Sequence, residues 1–203
     1  MKMELWEYEQ QAMESGYTLV CGCDEAGAGP LAGAVYAAAV ILPFGVEIPG
    51  LTDSKKLSEK KREALFPVVK ETALAWAVAR VEAEEIDKTD ILSARMKAMQ
   101  MAIDALDKQA DFALIDGNRD HGKTAAITTP HRCIVKGDSL SASIAAASIL
   151  AKVSRDHEML ELAKEYPQYC FEKHKGYGTA LHYEMLRQYG PSPIHRRTFL
   201  KNL

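Results

Sequence analysis

Four carboxylates in this chain stand where apolar runs stop. Asp24 and Glu25 close the short apolar run Tyr17-Thr18-Leu19-Val20-Cys21, Asp116 follows Phe112-Ala113-Leu114-Ile115, and Asp138 comes after Arg132-Cys133-Ile134-Val135. If those runs are neighbouring strands with a common direction, the acids gather at one edge of a sheet. Such a cluster repels itself unless a cation compensates it. Oxygen-only ligands suit Mg²⁺ or Mn²⁺, and two such ions can clamp the attacking and leaving oxygens of a phosphodiester. Each acid also has an ordinary use taken singly. Asp24-Glu25 could be a solvated turn, Asp116-Gly117 is a common turn pair, and Asp138 could cap a helix.

Two further stretches carry chemistry. Gly27-Ala28-Gly29 follows the first acid pair, and closely spaced glycines let a backbone approach a ligand. His174-Lys175-Gly176-Tyr177-Gly178-Thr179 puts a cation and an aromatic ring on a glycine-flexed loop. There Tyr177 can stack on a sugar or base while Lys175 meets a phosphate; a plain surface loop is the alternative. Gly117 to Thr124 also matches the phosphate-loop pattern GxxxxGK[ST]. That pattern works only when a helix starts at its Lys-Thr, so that amides face the phosphates. Here β-branched residues and Pro130 follow, which argues against a nucleotide site. A helix beginning at Lys123 would revive it.

The elements that must position these residues read as an α/β chain. Met3 to Ser15 is an amphipathic helix. Thr18 to Asp24 and Gly33 to Leu42 are strands that could pair as a hairpin around the carboxylate turn. Ser58 caps a helix running through Lys70 that Pro67 could kink, and Ala73 to Val81 is a third strand. Asp90 to Gln109 is a helix whose Met96, Met99, Ile103 and Leu106 form a core stripe. Two strands, Phe112 to Ile115 and Arg132 to Val135, precede a long helix from Ser139 to Tyr166. The small residues in its first half would let it lie close against a sheet. Thr179 to Tyr189 has helix potential.

With 203 residues, 47% hydrophobic and 26% charged, the chain suits one α/β domain with a real core. Its net charge of −3 gives no global signature of a nucleic-acid binder. The charge is uneven: Cys170 to Leu203 carries six basic residues against two acids, a polarity that can hold metal in one place and polyanion in another. Cys21, Cys23, Cys133 and Cys170 lack zinc spacing, and Cys21 and Cys23 read best as buried thiols. Met1 to Glu7 is too acidic for a signal peptide, and no apolar run is long enough for a membrane span. A reducing cytoplasm and no membrane partner are the expectation.

Taken together, Asp-Glu-Ala-Gly-x-Gly-Pro-Leu-Ala-Gly at 24–33, Asp-Ser-Lys-Lys-Leu-Ser at 53–58, Asp-Gly at 116–117, Lys-Gly-Asp-Ser at 136–139, Ala-Ala-Ala-Ser-Ile-Leu-Ala-Lys-Val at 145–153 and His-Lys-Gly-Tyr-Gly-Thr at 174–179 closely resemble bacterial type 2 ribonuclease H, the ribonuclease HII family. The resemblance covers nearly the whole chain. It implies a ribonuclease H-like fold, a central mixed sheet flanked by helices, with a core over 17–166 and a basic C-terminal helical extension over 167–203. It implies metal-dependent hydrolysis of the RNA strand of RNA–DNA hybrids, and cleavage 5′ of single ribonucleotides in duplex DNA, by a monomer. By position, Asp24, Glu25, Asp116 and Asp138 would be the catalytic metal ligands. The backbone of Gly27, Ala28 and Gly29 would meet the ribose 2′-hydroxyl, Tyr177 would stack at the junction, and Lys55 and Lys175 would bind substrate. The family has Gly-Arg-Gly where this chain has Gly27-Ala28-Gly29, which puts a substrate-side cation in doubt. A P-loop hydrolase and a non-catalytic binder of RNA–DNA junctions stand as rival expectations.

Overall fold

Strand β1, Val20–Ala26, is the middle of a five-stranded sheet in a computed structural model that describes residues 3–201. Ahead of it, a 3-10 turn at Met3–Trp6 leads into helix α1, Glu7–Glu14. β2, Val35–Ile41, runs antiparallel to β1 with Asp24 opposite Ala38, so the expected hairpin around the acid pair is present. Every residue of β2 is buried, as its unbroken apolar run requires of a strand covered on both faces. β3, Ala75–Val81, pairs antiparallel with β2 and forms one edge. On the other side β4, Phe112–Asp116, runs parallel to β1, and β5, His131–Ile134, runs parallel to β4. The sheet order is β3-β2-β1-β4-β5, so β1, β4 and β5 all point their C-terminal ends the same way.

Helix α2, Glu59–Thr72, is capped by the Ser58 side chain accepting from the Lys61 amide, and contains Pro67. A short helix with no counterpart among the sequence expectations, α3 at Ala83–Lys88, precedes α4, Ile91–Asp104. α4 covers one face of the sheet with Met96, Met99 and Ile103, all fully buried among Cys21, Cys23, Val35 and Ala37. The methionine stripe is therefore core. The other face is covered by α2 and by α5, Ala142–Glu165.

α5 is positioned by a missing side chain. A Cβ on Gly22 would lie 2.1 Å from the Ser143 carbonyl carbon and 2.2 Å from the Ile144 nitrogen. The helix backbone thus rests directly on the central strand, which the small residues of its first half permit. Its N-cap is Ser141, accepting from the Ile144 amide, rather than Asp138. Buried Glu9 of α1 accepts from the Ser141 hydroxyl at 2.6 Å and the Ser143 amide at 3.0 Å, which braces the same helix start. Burial raises the Glu9 carboxyl above its usual range.

Beyond α5 the chain turns back over the site in two helices, α6 at Phe171–His174 and α7 at Ala180–Tyr189. They enclose a small separate core in which Tyr169, Phe171 and Leu186 pack with Leu31, Ala32 and Met159. Backbone bonds tie this layer to the segment after β1: Leu31 donates to Gly176 O at 2.8 Å, Gly33 to Ile194 O at 2.9 Å, and Arg196 to Leu31 O at 2.8 Å. Among the described residues no helix is long and apolar enough to cross a membrane.

Candidate active site

Parallel pairing gathers the acids. Cys23 lies opposite Ile115, so Asp24 and Asp116 leave adjacent strands side by side. Asp116 in turn lies opposite Ile134 of β5. The chain then bends through Lys136, in the left-handed region at φ 58°, into a 3-10 turn at Gly137–Ser139 that carries Asp138. One carboxylate oxygen from each of Asp24, Asp116 and Asp138 lies within 4.8 Å of the other two. Asp24 and Asp138 are buried. The amide of Asp138 reaches an Asp116 oxygen at 3.3 Å, and that of Glu25 reaches Asp24 at 2.7 Å.

Successive strand residues face opposite sides, and Glu25 accordingly turns toward α4. Its Oε1 pairs with Arg95 Nη2 at 2.6 Å, while its Oε2 is buried without a hydrogen-bond partner. Glu25 thus stands beside the trio rather than within it. Burial, joined by repulsion from Glu25 and Asp116, holds the Asp24 carboxyl well above its usual range, with Lys55 opposing. Burial and Asp116 likewise raise Asp138. Burial raises Glu25 against the pull of Arg95. A buried, oxygen-only, self-repelling trio beside an orphaned carboxylate oxygen fits hard divalent cations. Lys55 Nζ, on a mostly exposed side chain, lies 3.6 Å from Asp138 Oδ2. Asp53 fixes that loop by accepting from the Lys55 amide at 2.8 Å.

The glycine turn sits beside the trio. Gly27 has φ +88°, and a Cβ there would fall 2.0 Å from Arg155 Nε. Arg155 and Arg196 are both 0% exposed. Arg155 donates to the carbonyls of Ala32 and Ala34 and, at 3.0 Å, to that of Lys175. Arg196 donates to Gly33 O at 3.0 Å, Ala28 O at 2.9 Å and Gly27 O at 2.6 Å. Burial and the neighbouring Arg155 push the Arg196 guanidinium down to about 9, which leaves it charged at neutral pH. In the sequence Arg196 stands among the basic residues of the C-terminal segment with nothing to separate it from the surface ones, and nothing marks Arg155. Burial of a polar side chain leaves no periodic signal in such a segment.

Tyr177 presents a 41% exposed ring over this turn, 4.0 Å from where a Gly29 Cβ would stand. Lys175, at φ 49°, donates its Nζ to Glu172 O at 2.7 Å. A chain of buried histidines supports the loop from below. The Ser192 amide donates to His195 Nδ1 at 2.9 Å, the Nε2 atoms of His195 and His182 lie 3.0 Å apart, and His182 Nδ1 lies 2.9 Å from Tyr177 O. One proton between the two rings satisfies all of these bonds with both histidines neutral. Burial pushes each of them down to about 4.

The phosphate-loop reading fails on the structure. No helix begins at Lys123; residues 117–130 are bends with a bridge between His121 and Ala126. A Cβ on Gly122 would lie 2.4 Å from the Ser93 backbone nitrogen, so that stretch packs against the start of α4 instead of cradling a ligand.

Comparison with known proteins agrees with this fold. The sequence profile of the family described as ribonuclease HII matches residues 21–202. A ribonuclease HII of Dechloromonas aromatica (strain RCB) is 57% identical over 181 residues, 89% of this chain and 90% of its own. One from Endomicrobium trichonymphae is 54% identical over 199 residues, 98% of this chain and 93% of its own. Among solved structures, ribonuclease H2 from Pyrococcus horikoshii OT3 superposes with a TM-score of 0.72 at 26% identity, covering 89% of this chain and 93% of that one. With a family profile spanning almost the entire chain and relatives above half identity over nine-tenths of their length, the chain belongs to the ribonuclease HII family of endoribonucleases.

Proposed function

We propose that this chain hydrolyses the RNA strand of RNA–DNA hybrids and cuts on the 5′ side of single ribonucleotides embedded in duplex DNA. The observation that carries the reading is the trio of Asp24, Asp116 and Asp138 oxygens within 4.8 Å at the end of three parallel strands. Asp24, Glu25, Asp116 and Asp138 would hold Mg²⁺ or Mn²⁺. Two such ions, when bound, supply charge stabilisation to the attacking and leaving oxygens of a phosphodiester.

The remaining residues bind and orient. The backbone of Gly27, Ala28 and Gly29 offers donors beside the acids, suited to the 2′-hydroxyl that separates RNA from DNA. The Tyr177 ring stacks on the sugar next to it, limiting which nucleotide can lie over the trio. Lys55 and Lys175 meet phosphates, and residues 167–203 serve as the substrate-binding extension of a cytoplasmic monomer. Ala28 removes the side-chain cation of the family motif but leaves both flanking glycines, so the backbone contacts survive it.

The test is incubation with a duplex carrying one ribonucleotide, with Mg²⁺, with Mn²⁺ and with chelator. Metal-dependent cutting on the 5′ side of that ribonucleotide is expected, and Asp24→Asn should lower it by orders of magnitude. Tight, metal-independent binding without a cut would instead identify a non-catalytic junction binder.

A further inference from the structure

Arg196 spends its charge on backbone carbonyls. The Gly27 carbonyl it holds shares a peptide unit with the Ala28 amide, and the Ala28 carbonyl shares one with the Gly29 amide. The guanidinium fork therefore grips two successive peptide groups by their oxygens. In a trans peptide the N–H points opposite to the C=O, so both amides are turned away from the buried fork. Ala28 is half-buried and Gly29 exposed. Among the described residues neither amide donates to a protein acceptor. A cation on the carbonyl oxygen also draws electron density through the peptide and makes its N–H a stronger donor.

Arg155 strengthens the case. It lies beneath the same turn, against Gly27, and ties the segment after it to the Lys175 carbonyl next to the Tyr177 loop. Two neighbouring buried cations set on carbonyls, one of them with its Nη1 buried and unpartnered, are a costly way to brace a turn. Neutral donors would brace it as well, but would polarise it less.

We infer that Arg196 is a positioning residue that orients and polarises the Ala28 and Gly29 amides, so that selectivity for ribose depends on a side chain sealed away from the nucleic acid. The inference rests on the functional reading above and deepens it by naming what sets its substrate choice. It is tested with Arg196→Lys, which keeps the charge but lacks the planar fork that holds both carbonyls in fixed geometry. Dissociation constants for a one-ribonucleotide duplex and an all-DNA duplex are measured in chelator, where neither is cut. The wild-type protein should prefer the ribonucleotide. Arg196→Lys should lose about tenfold of that preference, the weight of one net hydrogen bond, with affinity for the all-DNA duplex unchanged. An unchanged ratio, or an equal loss on both duplexes, would reduce Arg196 to a structural bracket and overturn the inference. Should Arg196→Lys fail to fold, the wild-type protein decides by amide proton resonances. Those of Ala28 and Gly29 should move downfield with the ribonucleotide duplex and not with all-DNA; identical responses overturn the inference. A wild-type protein with no ribose preference would defeat the functional reading first, and this inference with it.

Discussion

Asp24 carries its charge where burial and two neighbouring acids oppose it. A carboxyl whose folded pKa is raised binds its proton more tightly folded than unfolded. Its ionisation therefore weakens the fold as pH rises through and above the usual carboxylate range of about 4. Asp24→Asn removes that penalty at neutral pH along with the ligand. In chelator the variant should melt at a higher temperature than wild type, and Mg²⁺ or Mn²⁺ should stabilise wild type but not the variant. Calorimetry with and without metal checks both; a variant that melts lower in chelator would show that Asp24 is structurally satisfied as it stands. Tyr177 is the opposite case, an exposed ring with little structural duty. Aromatic stacking is worth roughly 1–3 kcal/mol per base. Tyr177→Ala should thus lose up to about a hundredfold in kcat/KM while Tyr177→Phe keeps most activity. Equal losses would assign the effect to the hydroxyl.

At the scale of elements, the site depends on how closely α5 approaches β1. Adding one methyl at Gly22 would place a carbon inside the α5 backbone. That overpacking should cost about 3 kcal/mol, or a drop of roughly 6–12 °C in melting temperature for a chain of this size. Denaturant titration of Gly22→Ala measures it, and a loss below about 1 kcal/mol would mean the helix can slide aside. Much of this architecture was legible beforehand, because strands that stop at acids and a helix start rich in small residues leave local marks. The helix cap was not: Ser139, Ser141 and Asp138 are equivalent by type, and only the brace from Glu9, far away in sequence, selects Ser141. Glu25 was grouped with the other acids by adjacency. Its ion pair with Arg95 depends on strand parity and on where α4 lies, which no local pattern encodes. Arg155 and Arg196 escaped for the same reason, since their partners are carbonyls and carry no residue type.

The whole molecule is a sheet core with a helical layer closed over one end of its central hairpin, and the two parts should respond differently to acid. His182 and His195 are buried in the layer and both pushed down to about 4 by desolvation. His174 stacks on His182 with ring centroids 4.3 Å apart, and Arg197 adds like charge near His195. A histidine whose folded pKa is depressed contributes stability fully above the unfolded value of about 6.5 and loses it as pH falls toward the folded one. Protonating the pair also breaks the bonded chain that ends at the Tyr177 carbonyl, since two imidazolium rings cannot share one proton across 3.0 Å. The loss between pH 6.5 and 4 should reach about 3 kcal/mol for each histidine as an upper bound. The buried acids act in the reverse sense, because their raised carboxyls favour the fold as they take up protons. A global melt would therefore mix opposing contributions, whereas amide hydrogen exchange separates them. Protection around Gly176 and Tyr177 and along α7 should fall across that window while β1 and β2 keep theirs. A uniform loss over both parts would mean that the layer and the core unfold as one unit and that the histidine chain does not set the layer's local stability.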